Sequence, residues 1–127
     1  MIVAGVGFRR GVGADELVAL VQRACDQAAL PPERLTRLAT AEVLADEPGF
    51  QEAARRLAVD PTAVGEAALR GAAPAIRTNS VRSLAAHGVG SVAEAAALGG
   101  AGVGADLVLA RITSPRATCA LAKGPGA

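Results

Sequence analysis

The chain has 127 residues, an ordinary size for one domain, and we expect a single domain over residues 1–127. Thirteen Lys and Arg nearly balance twelve Asp and Glu, and Phe8 and Phe50 are its only Phe, Tyr or Trp residues, which argues against nucleic acid as a partner. The glycine-rich start lacks the apolar run of a signal peptide, and no stretch of about 18 uncharged apolar residues occurs. We therefore expect a cytoplasmic protein that does not bind a membrane.

The first quarter of the chain predicts a strand, a loop and a helix. Residues 2–6 form an apolar, partly β-branched run that ends in glycines, which is typical of a buried strand. Residues 5–13 are predicted as the loop after it. From Ala14 onward, apolar residues such as Leu17 and Val21 recur at helical spacing, so a helix is predicted there.

The middle of the chain predicts shorter elements. Residues 38–40 favour a second strand, and Asp46 is placed to cap a helix that has Pro48 in its first turn. Residues 58–59 are interpreted as a very short third strand. A further helix is predicted over residues 61–70, opened by a Pro-Thr pair.

Two helices are predicted next. Asn79 or Ser80 is expected to cap the first, and Gly88 is expected to end it. Ser91 with Glu94 has the spacing of a capping box, which opens an alanine-rich helix. In a capping box the glutamate reaches back to the backbone N–H of the serine, and this explains Glu94 without a ligand. Contact with a ligand is the alternative.

The carboxyl-terminal part predicts a hairpin. Residues 107–112 and 117–122 are two strand-like runs joined by four turn residues. Early alternation of strands and helices, followed by helices and a hairpin, favours the α/β class. We expect a three-layer α/β/α domain with a mixed sheet and a C-terminal antiparallel hairpin.

The glycines near the amino terminus suggest an anion site. Gly5, Gly7 and Gly11 lie between a predicted strand and a predicted helix, where backbone N–H groups and the helix dipole favour negative charge. Arg9 and Arg10 add positive charge there. The spacing matches neither the dinucleotide GxGxxG nor a Walker loop. A tight strand-to-helix turn without any ligand is the alternative.

Other candidate residues have ordinary structural explanations beside the chemical ones. Asp46 and Glu47 are suited to acid/base work or to cation binding, but acids before a proline are also common at helix starts. His87, the only histidine, precedes a predicted helix-ending glycine. Cys25 and Cys119 lack the spacing of a zinc site and are expected to be reduced core thiols. We expect no metal and no cofactor.

Four sequence patterns together carry a resemblance to a known family. They are Gly5-x-Gly7-x-Arg9-x-Gly11, Ala45-Asp46-Glu47-Pro48-Gly49, Gly88-x-x-Ser91-Val92-x-Glu94-Ala95-Ala96-Ala97, and Thr118-x-Ala120-x-Ala122. In this order and spacing, which cover nearly the whole chain, they resemble the CobE family of cobalamin biosynthesis. The same domain forms the C-terminal part of cobalt-precorrin-5A hydrolase, CbiG.

The resemblance implies a three-layer α/β domain that binds a precorrin-type tetrapyrrole, a macrocycle whose rim carries acetate and propionate carboxylates. It implies a carrier, or an auxiliary to ring-modifying enzymes of the cobalamin pathway, which would be its protein partners. The candidate ligand-binding residues are Gly5, Gly7, Arg9, Arg10, Gly11, Ser91, Glu94 and Thr118. The candidate catalytic residues are Asp46 and Glu47.

Three alternatives stay open beside the carrier hypothesis. The first is a small precorrin-modifying enzyme related to the lactone hydrolase, although the larger hydrolase has further domains. The second is an anion- or nucleotide-binding module, and the third is an interaction subunit of a multidomain enzyme. The family often has a lysine two residues before the Asp-Glu pair, where this chain has Leu44, so a role of that lysine is not carried over. The particular precorrin, its cobalt content and the oligomeric state are left open.

Overall fold

The protein is built around a five-stranded mixed sheet, seen in a computed structural model that describes residues 1–78 and 91–124. The strands are β1 (Ile2–Phe8), β2 (Leu35–Ala41), β3 (Asp60–Val64), β4 (Asp106–Thr113) and β5 (Ala117–Lys123). Their spatial order is β3-β2-β1-β5-β4. β1, β2 and β3 are parallel, and β5 is antiparallel to both β1 and β4. The predicted mixed sheet and C-terminal hairpin are confirmed.

Helices cover both faces of this sheet. They are α1 (Ala14–Gln27), α2 (Pro48–Leu57), α3 (Glu66–Gly71) and α4 (Val92–Ala101), and short 3-10 turns occur at Pro32–Arg34, Glu42–Leu44 and Ala73–Ala75. α1 and α2 pack on one face, here called the α1 face. α3 and α4 pack on the other, the α4 face. The predicted three-layer α/β/α architecture is confirmed.

The two faces have separate cores because successive side chains of a strand point to opposite sides. On β1, Ile2, Ala4 and Val6 belong to the α1-face core. Val3 belongs to the α4-face core, which consists largely of alanines from α4, β2 and β5. α1 buries the stripe of apolar residues that its spacing predicts. None of the helices in the described ranges is long and apolar enough to cross a bilayer.

Several strand ends and helix starts lie at one end of the sheet, the end toward which the parallel strands run. This end is distinct from the outer strands β3 and β4 at the two sides of the sheet. The carboxyl ends of the three parallel strands meet there, and Phe8 at the end of β1 pairs with Ala117 at the start of β5. The turn between β4 and β5 is therefore at the same end, which we call the carboxyl edge. All four helices named above also begin there: α1, α2 and α3 each follow a parallel strand, and α4 runs antiparallel to β1, with Val92 near Gly7 and Gly100 near Val3.

Three local predictions between residues 5 and 70 are wrong. The glycine-rich loop was predicted over residues 5–13, but β1 continues to Phe8, so Gly5 and Gly7 are strand residues. A helix was predicted over residues 61–70 and a strand over 58–59. Instead Asp60–Val64 is the strand, paired with β2, and the helix begins at Glu66. β3 lies at the edge of the sheet, where a proline is tolerated because one side of the strand needs no ladder partner.

The predicted helix between β3 and α4 lies outside the described residues. That prediction concerned Asn79, Ser80 and Gly88, and His87 falls in the same segment.

Candidate functional site

The carboxyl edge is an electrostatically favourable place for an anion. Each helix that begins there directs unpaired backbone N–H groups and the positive end of its dipole toward the edge. In open α/β sheets the crevice outside the carboxyl ends of the strands is the usual place for a ligand. Candidate residues from the end of β1, the start of α2, the start of α4 and the start of β5 all lie near this edge.

The loop after β1 is held in place by Glu47. The N–H of Gly11, at φ +84°, donates to Oε1 of Glu47 at 2.9 Å, and Nη1 of Arg10 donates to Oε2 at 3.1 Å. Nη2 of Arg10 also donates to the carbonyl of Val43 at 2.9 Å. Both carboxylate oxygens of Glu47 are thus engaged in holding the loop, which we call the Glu47 latch.

The start of α2 completes that arrangement. A Cβ added to Gly49 would lie 2.2 Å from the carbonyl oxygen of Val12, so the loop packs directly on the first turn of α2. Pro48 stands at the start of the helix as predicted, but the N-cap position belongs to Glu47, not to Asp46. The cap assigned to Asp46 is therefore wrong. Asp46 is exposed at this edge, beside the latch.

Gly5 and Gly7 lie under α4 and not in the loop. A Cβ at Gly5 would be 2.1 Å from the carbonyl oxygen of Ala93 and 2.3 Å from the nitrogen of Ala97. A Cβ at Gly7 would be 3.0 Å from Oγ1 of Thr118 and 3.3 Å from Cβ of Val92. Gly5 lets the helix backbone touch the sheet, and Gly7 lies where the first turn of α4 meets the end of β1.

Thr118 belongs to this second group. It pairs with Gly7 across the β1–β5 ladder, and its hydroxyl donates to the Gly7 carbonyl at 3.3 Å. Beyond this pair, the N–H of Arg9 donates to the carbonyl of Arg116 at 3.0 Å. Arg9 is exposed, and its guanidinium has no ion-pair partner among residues 1–78 and 91–124. The structure therefore brings Gly7, Arg9 and Thr118 together with the start of α4.

Ser91 caps α4 as predicted. Its Oγ accepts a hydrogen bond from the N–H of Glu94 at 3.2 Å, and the residue is buried. The other half of the predicted capping box is wrong, because the carboxylate of Glu94 does not reach back to Ser91. Ser91 thus fixes the end of the helix that faces the carboxyl edge.

Glu94 is fully buried, and its carboxylate accepts four hydrogen bonds. Oε1 accepts from the N–H groups of Arg77 at 2.6 Å and Thr78 at 3.0 Å. Oε2 accepts from the Thr78 hydroxyl at 2.6 Å and from the N–H of Arg111 at 2.9 Å. Burial by itself raises the pKa of Glu94, but these hydrogen bonds outweigh it and hold the pKa below its usual range. The ionised side chain ties the chain before α4 to β4.

The N–H of Arg111 is close to an irregularity in β4. The register with β5 shifts between Leu109 and Ile112, where three steps along β4 match two along β5. Such a bulge leaves a residue out of the ladder. The bulge explains why the N–H of Arg111 donates to the carboxylate of Glu94 on α4 and not to a neighbouring strand.

Glu16, an acid in the first turn of α1, links this helix to the β4–β5 turn. Its carboxylate accepts hydrogen bonds from the Ser114 hydroxyl and from the N–H of Arg116 in the β4–β5 turn. These two hydrogen bonds hold the pKa of Glu16 below its usual range. Because the partners are 98 and 100 residues away in sequence, no local pattern could have indicated the contact.

A groove of about 510 Å³ lies between α2 and β3 and begins at Pro48, next to the Glu47 latch. It is lined by Pro48, Gln51, Glu52, Arg55, Val59 and Pro61. The side chains of Arg55 and Arg56 donate to Glu52 and lower its pKa to about 2. The charges along this groove neutralise one another, so it is a weaker candidate than the carboxyl edge.

The cysteines and the other possible metal-ligating side chains are dispersed in the described part of the chain. Across residues 1–78 and 91–124, no three His, Cys, Asp or Glu side chains gather as a metal site. Cys25 and Cys119 are free and buried, as predicted, and burial raises the pKa of both thiols. A raised pKa leaves little thiolate for nucleophilic attack.

Comparison with known proteins gives consistent matches over nearly the whole chain. Residues 2–122 match the family model described as "Cobalamin synthesis G C-terminus". The chain is 38% identical over 124 residues to Protein CobE from Sinorhizobium sp, a match that covers 98% of this chain and 80% of that protein.

Two solved structures are similar in both sequence and fold. One is the crystal structure of CobE, described as a protein from the cobalamin (vitamin B12) biosynthetic pathway, with a TM-score of 0.90, 36% identity, and coverage of 96% of this chain and 89% of that one. The other is cobalamin biosynthesis protein chiG from Agrobacterium tumefaciens str. C58, with a TM-score of 0.77, 35% identity, and coverage of 98% and 99%.

Proposed function

The chain belongs to the family of the cobalamin synthesis G C-terminus, and we propose that within cobalamin biosynthesis it binds a precorrin-type tetrapyrrole. Membership makes it a cobalamin-pathway protein. We further propose that the protein carries an intermediate, or presents one to ring-modifying enzymes as an auxiliary. Enzymes of the pathway would then be its partners.

One observation carries the proposal: the exposed guanidinium of Arg9 lies at the carboxyl edge, near the start of α4, without an ion-pair partner among residues 1–78 and 91–124. Gly7 is buried under the first turn of α4, the Thr118 hydroxyl donates to its carbonyl, and Arg9 is exposed two residues beyond this packed contact. The rim carboxylates of a precorrin need charge-assisted hydrogen bonds. A free arginine supplies such hydrogen bonds together with the matching charge.

The two arginines of the loop have different parts in this proposal. Arg10 is bound to Glu47 and to the Val43 carbonyl, so it stabilises the loop. Arg9 has no such partner in the described ranges and is available to a ligand. We therefore assign ligand contact to Arg9, and the shaping of the loop to Arg10, Gly11 and Glu47.

A small precorrin-modifying enzyme is the second candidate, and the exposed carboxylate of Asp46 favours it. In that case Asp46 is the acid/base group and Glu47 is a positioning residue, since both Glu47 oxygens are already engaged. Turnover of a precorrin by the purified protein, and its loss in Asp46→Asn, would support the enzyme. Binding that persists without any turnover supports the carrier.

The test is an absorbance titration with hydrogenobyrinic acid, with ATP as comparator, at two salt concentrations. We expect saturable binding that weakens at the higher salt, because the contacts are ionic. Arg9→Ala should cost about 1.5–3 kcal/mol of binding free energy, the range for hydrogen bonds to charged groups, without changing the thermal midpoint appreciably. Arg34→Ala, an exposed arginine before β2 at the opposite edge, is the matched control and should bind like wild type.

Other results point to the remaining hypotheses. Saturation by ATP with no binding of any corrinoid would indicate an anion- or nucleotide-binding module. No binding of either, together with stable co-purification with a pathway enzyme, would indicate an interaction subunit. Both outcomes contradict the tetrapyrrole proposal.

A further inference from the structure

Arg9 and Arg116 are direct cross-strand neighbours just beyond the β1–β5 ladder. The last regular pair of the ladder is Phe8 with Ala117. The next step outward pairs Arg9 with Arg116, and the hydrogen bond from the N–H of Arg9 to the Arg116 carbonyl, at 3.0 Å, continues the ladder. Directly opposite residues in such a pair have Cβ atoms about 4.5–5.5 Å apart.

The alternation of β1 puts Arg9 on the α4 face, with Arg116 beside it in the turn. Ala117 belongs to the α1-face core, and Phe8 packs against it. One step inward, Gly7 and Thr118 lie on the α4 face, beside Val92. By the two-residue period of a strand, Arg9 returns to the side of Gly7. Arg116 lies opposite Arg9 in the turn, and both residues are exposed at the carboxyl edge.

Two arginines opposite each other destabilise a folded chain unless an anion lies between them. Neither guanidinium has an ion-pair partner among the described residues, although Arg10, Arg55, Arg56 and Arg70 all have one. Glu16 is the nearest acid to this pair with contacts in the turn, and it binds the N–H of Arg116 and the Ser114 hydroxyl, not the guanidinium. The charge of Arg116 contributes to lowering the pKa of Glu16, but neither guanidinium is held by a hydrogen bond among the described residues, so both can turn to an external anion.

We propose that Arg9 and Arg116 together bind a single rim carboxylate of the ligand, which makes Arg116 a specificity-determining residue for carboxylated over amidated macrocycles. This rests on the tetrapyrrole binding proposed above. Two guanidinium groups present several N–H donors to one carboxylate, whereas a neutral amide supplies only one acceptor oxygen and no charge. The ligand removes the repulsion that the free protein carries.

The experiment is a double-mutant cycle with wild type, Arg9→Ala, Arg116→Ala and the double variant. Each is titrated with hydrogenobyrinic acid and with the same macrocycle after its carboxylates are converted to amides. Arg116→Ala should weaken binding of the acid form about 10- to 100-fold, from the strength of a charge-assisted hydrogen bond. The double variant should lose less than the product of the two single losses, because both residues act on one group. The amide form should bind weakly to all four proteins.

A second measurement separates this pair from a merely structural role. In the ligand-free protein, Arg116→Ala should keep or raise the thermal midpoint at low salt, since the substitution removes a like-charge neighbour. Arg34→Ala is again the control for losing an exposed guanidinium.

The outcomes distinguish this inference from the function on which it rests. If wild type binds the acid form and Arg116→Ala binds it equally well, the inference is wrong and the proposed function stands. Independent, multiplicative losses in the double variant would also contradict a shared carboxylate. If wild type binds no tetrapyrrole, both proposals fail.

Discussion

The two faces of the sheet are packed in different ways. On the α1 face large side chains fill the space, among them the fully buried Phe50, Leu17 and Leu38, and the rings of Phe8 and Phe50 stack with centroids 6.0 Å apart. On the α4 face alanines and glycines bring helix backbone against strand backbone, as at Gly5. A face built from side chains can adjust by rotamer changes, whereas a backbone contact cannot. The α4 face therefore holds its helix at one distance from the sheet.

That difference matters for the proposed site, which lies on the α4 face of the carboxyl edge. The first turn of α4 lies over Gly7 and its end is fixed by Ser91. Because the helix cannot shift, the N–H groups of its first turn keep a fixed position relative to Arg9. The alanine-rich composition of α4 thus contributes to a preorganised edge and not only to a core.

The largest effect that tests this contrast is expected from Gly5→Ala. Its Cβ would meet the backbone of Ala93 and Ala97 at 2.1 Å and 2.3 Å, so we expect a loss of about 3 kcal/mol, at the upper end of overpacking costs. Urea denaturation measures it. Gly71→Ala is the control, because a Cβ there meets nothing within 4 Å, and it should be close to neutral. Equal stability of the two variants would contradict backbone contact at Gly5.

A smaller loss is expected from Glu94→Gln. The amide keeps one acceptor oxygen but turns an NH₂ group toward donors, so we expect about 1–3 kcal/mol of destabilisation near neutral pH. The same denaturation experiment, repeated at decreasing pH, tests the charge.

The sign of the pH effect follows from the lowered pKa of Glu94. A carboxyl whose pKa is lower in the folded state stabilises the fold above its unfolded pKa, and this stability is lost as the pH falls through the folded value. The difference between wild type and Glu94→Gln should therefore shrink as the pH falls below the ordinary glutamate range. A difference that stays constant would mean that the charge of Glu94 is not what its partners recognise.

The smallest effect is expected from Ser91→Ala. The substitution removes the acceptor for the N–H of Glu94, and loss of such a cap costs about 1 kcal/mol. If the position of α4 depends on the sheet contact more than on the cap, corrinoid affinity should change less in this variant than in Arg9→Ala. An affinity loss larger than that of Arg9→Ala would place Ser91 in direct contact with the ligand.

The sequence predicts those parts of the fold that depend on neighbours in the chain. The spacing of Leu17 and Val21 in α1, the cap at Ser91 and the two strands of the hairpin are local signals, and all are confirmed. β3 was missed because its short polar segment is a strand only through pairing with β2. The continuation of β1 through Gly7 was missed because glycine there serves a helix that lies about ninety residues later in the chain.

The candidate site likewise contains residues that the sequence indicates and contacts that only the tertiary structure shows. Gly7, Arg9, Ser91 and Thr118 were selected from the sequence, and the structure brings them to one place on the α4 face. The partners of Glu94 and Glu47, and the pairing of Arg116 with Arg9, come from tertiary register and have no local signature. Gly11 and Arg10 form a separate group with the Glu47 latch.

The most direct test of the central claim, that the carboxyl edge on the α4 face binds the tetrapyrrole, is an amide-resolved NMR titration of labelled protein with hydrogenobyrinic acid. The account predicts that the largest shifts occur at Gly7, Arg9, Ser91, Arg116 and Thr118. Amides along the groove between α2 and β3, such as those of Gln51 and Arg55, should stay nearly unchanged. Saturable shifts confined to that groove or to the α1 face, with the edge unaffected, would contradict the account.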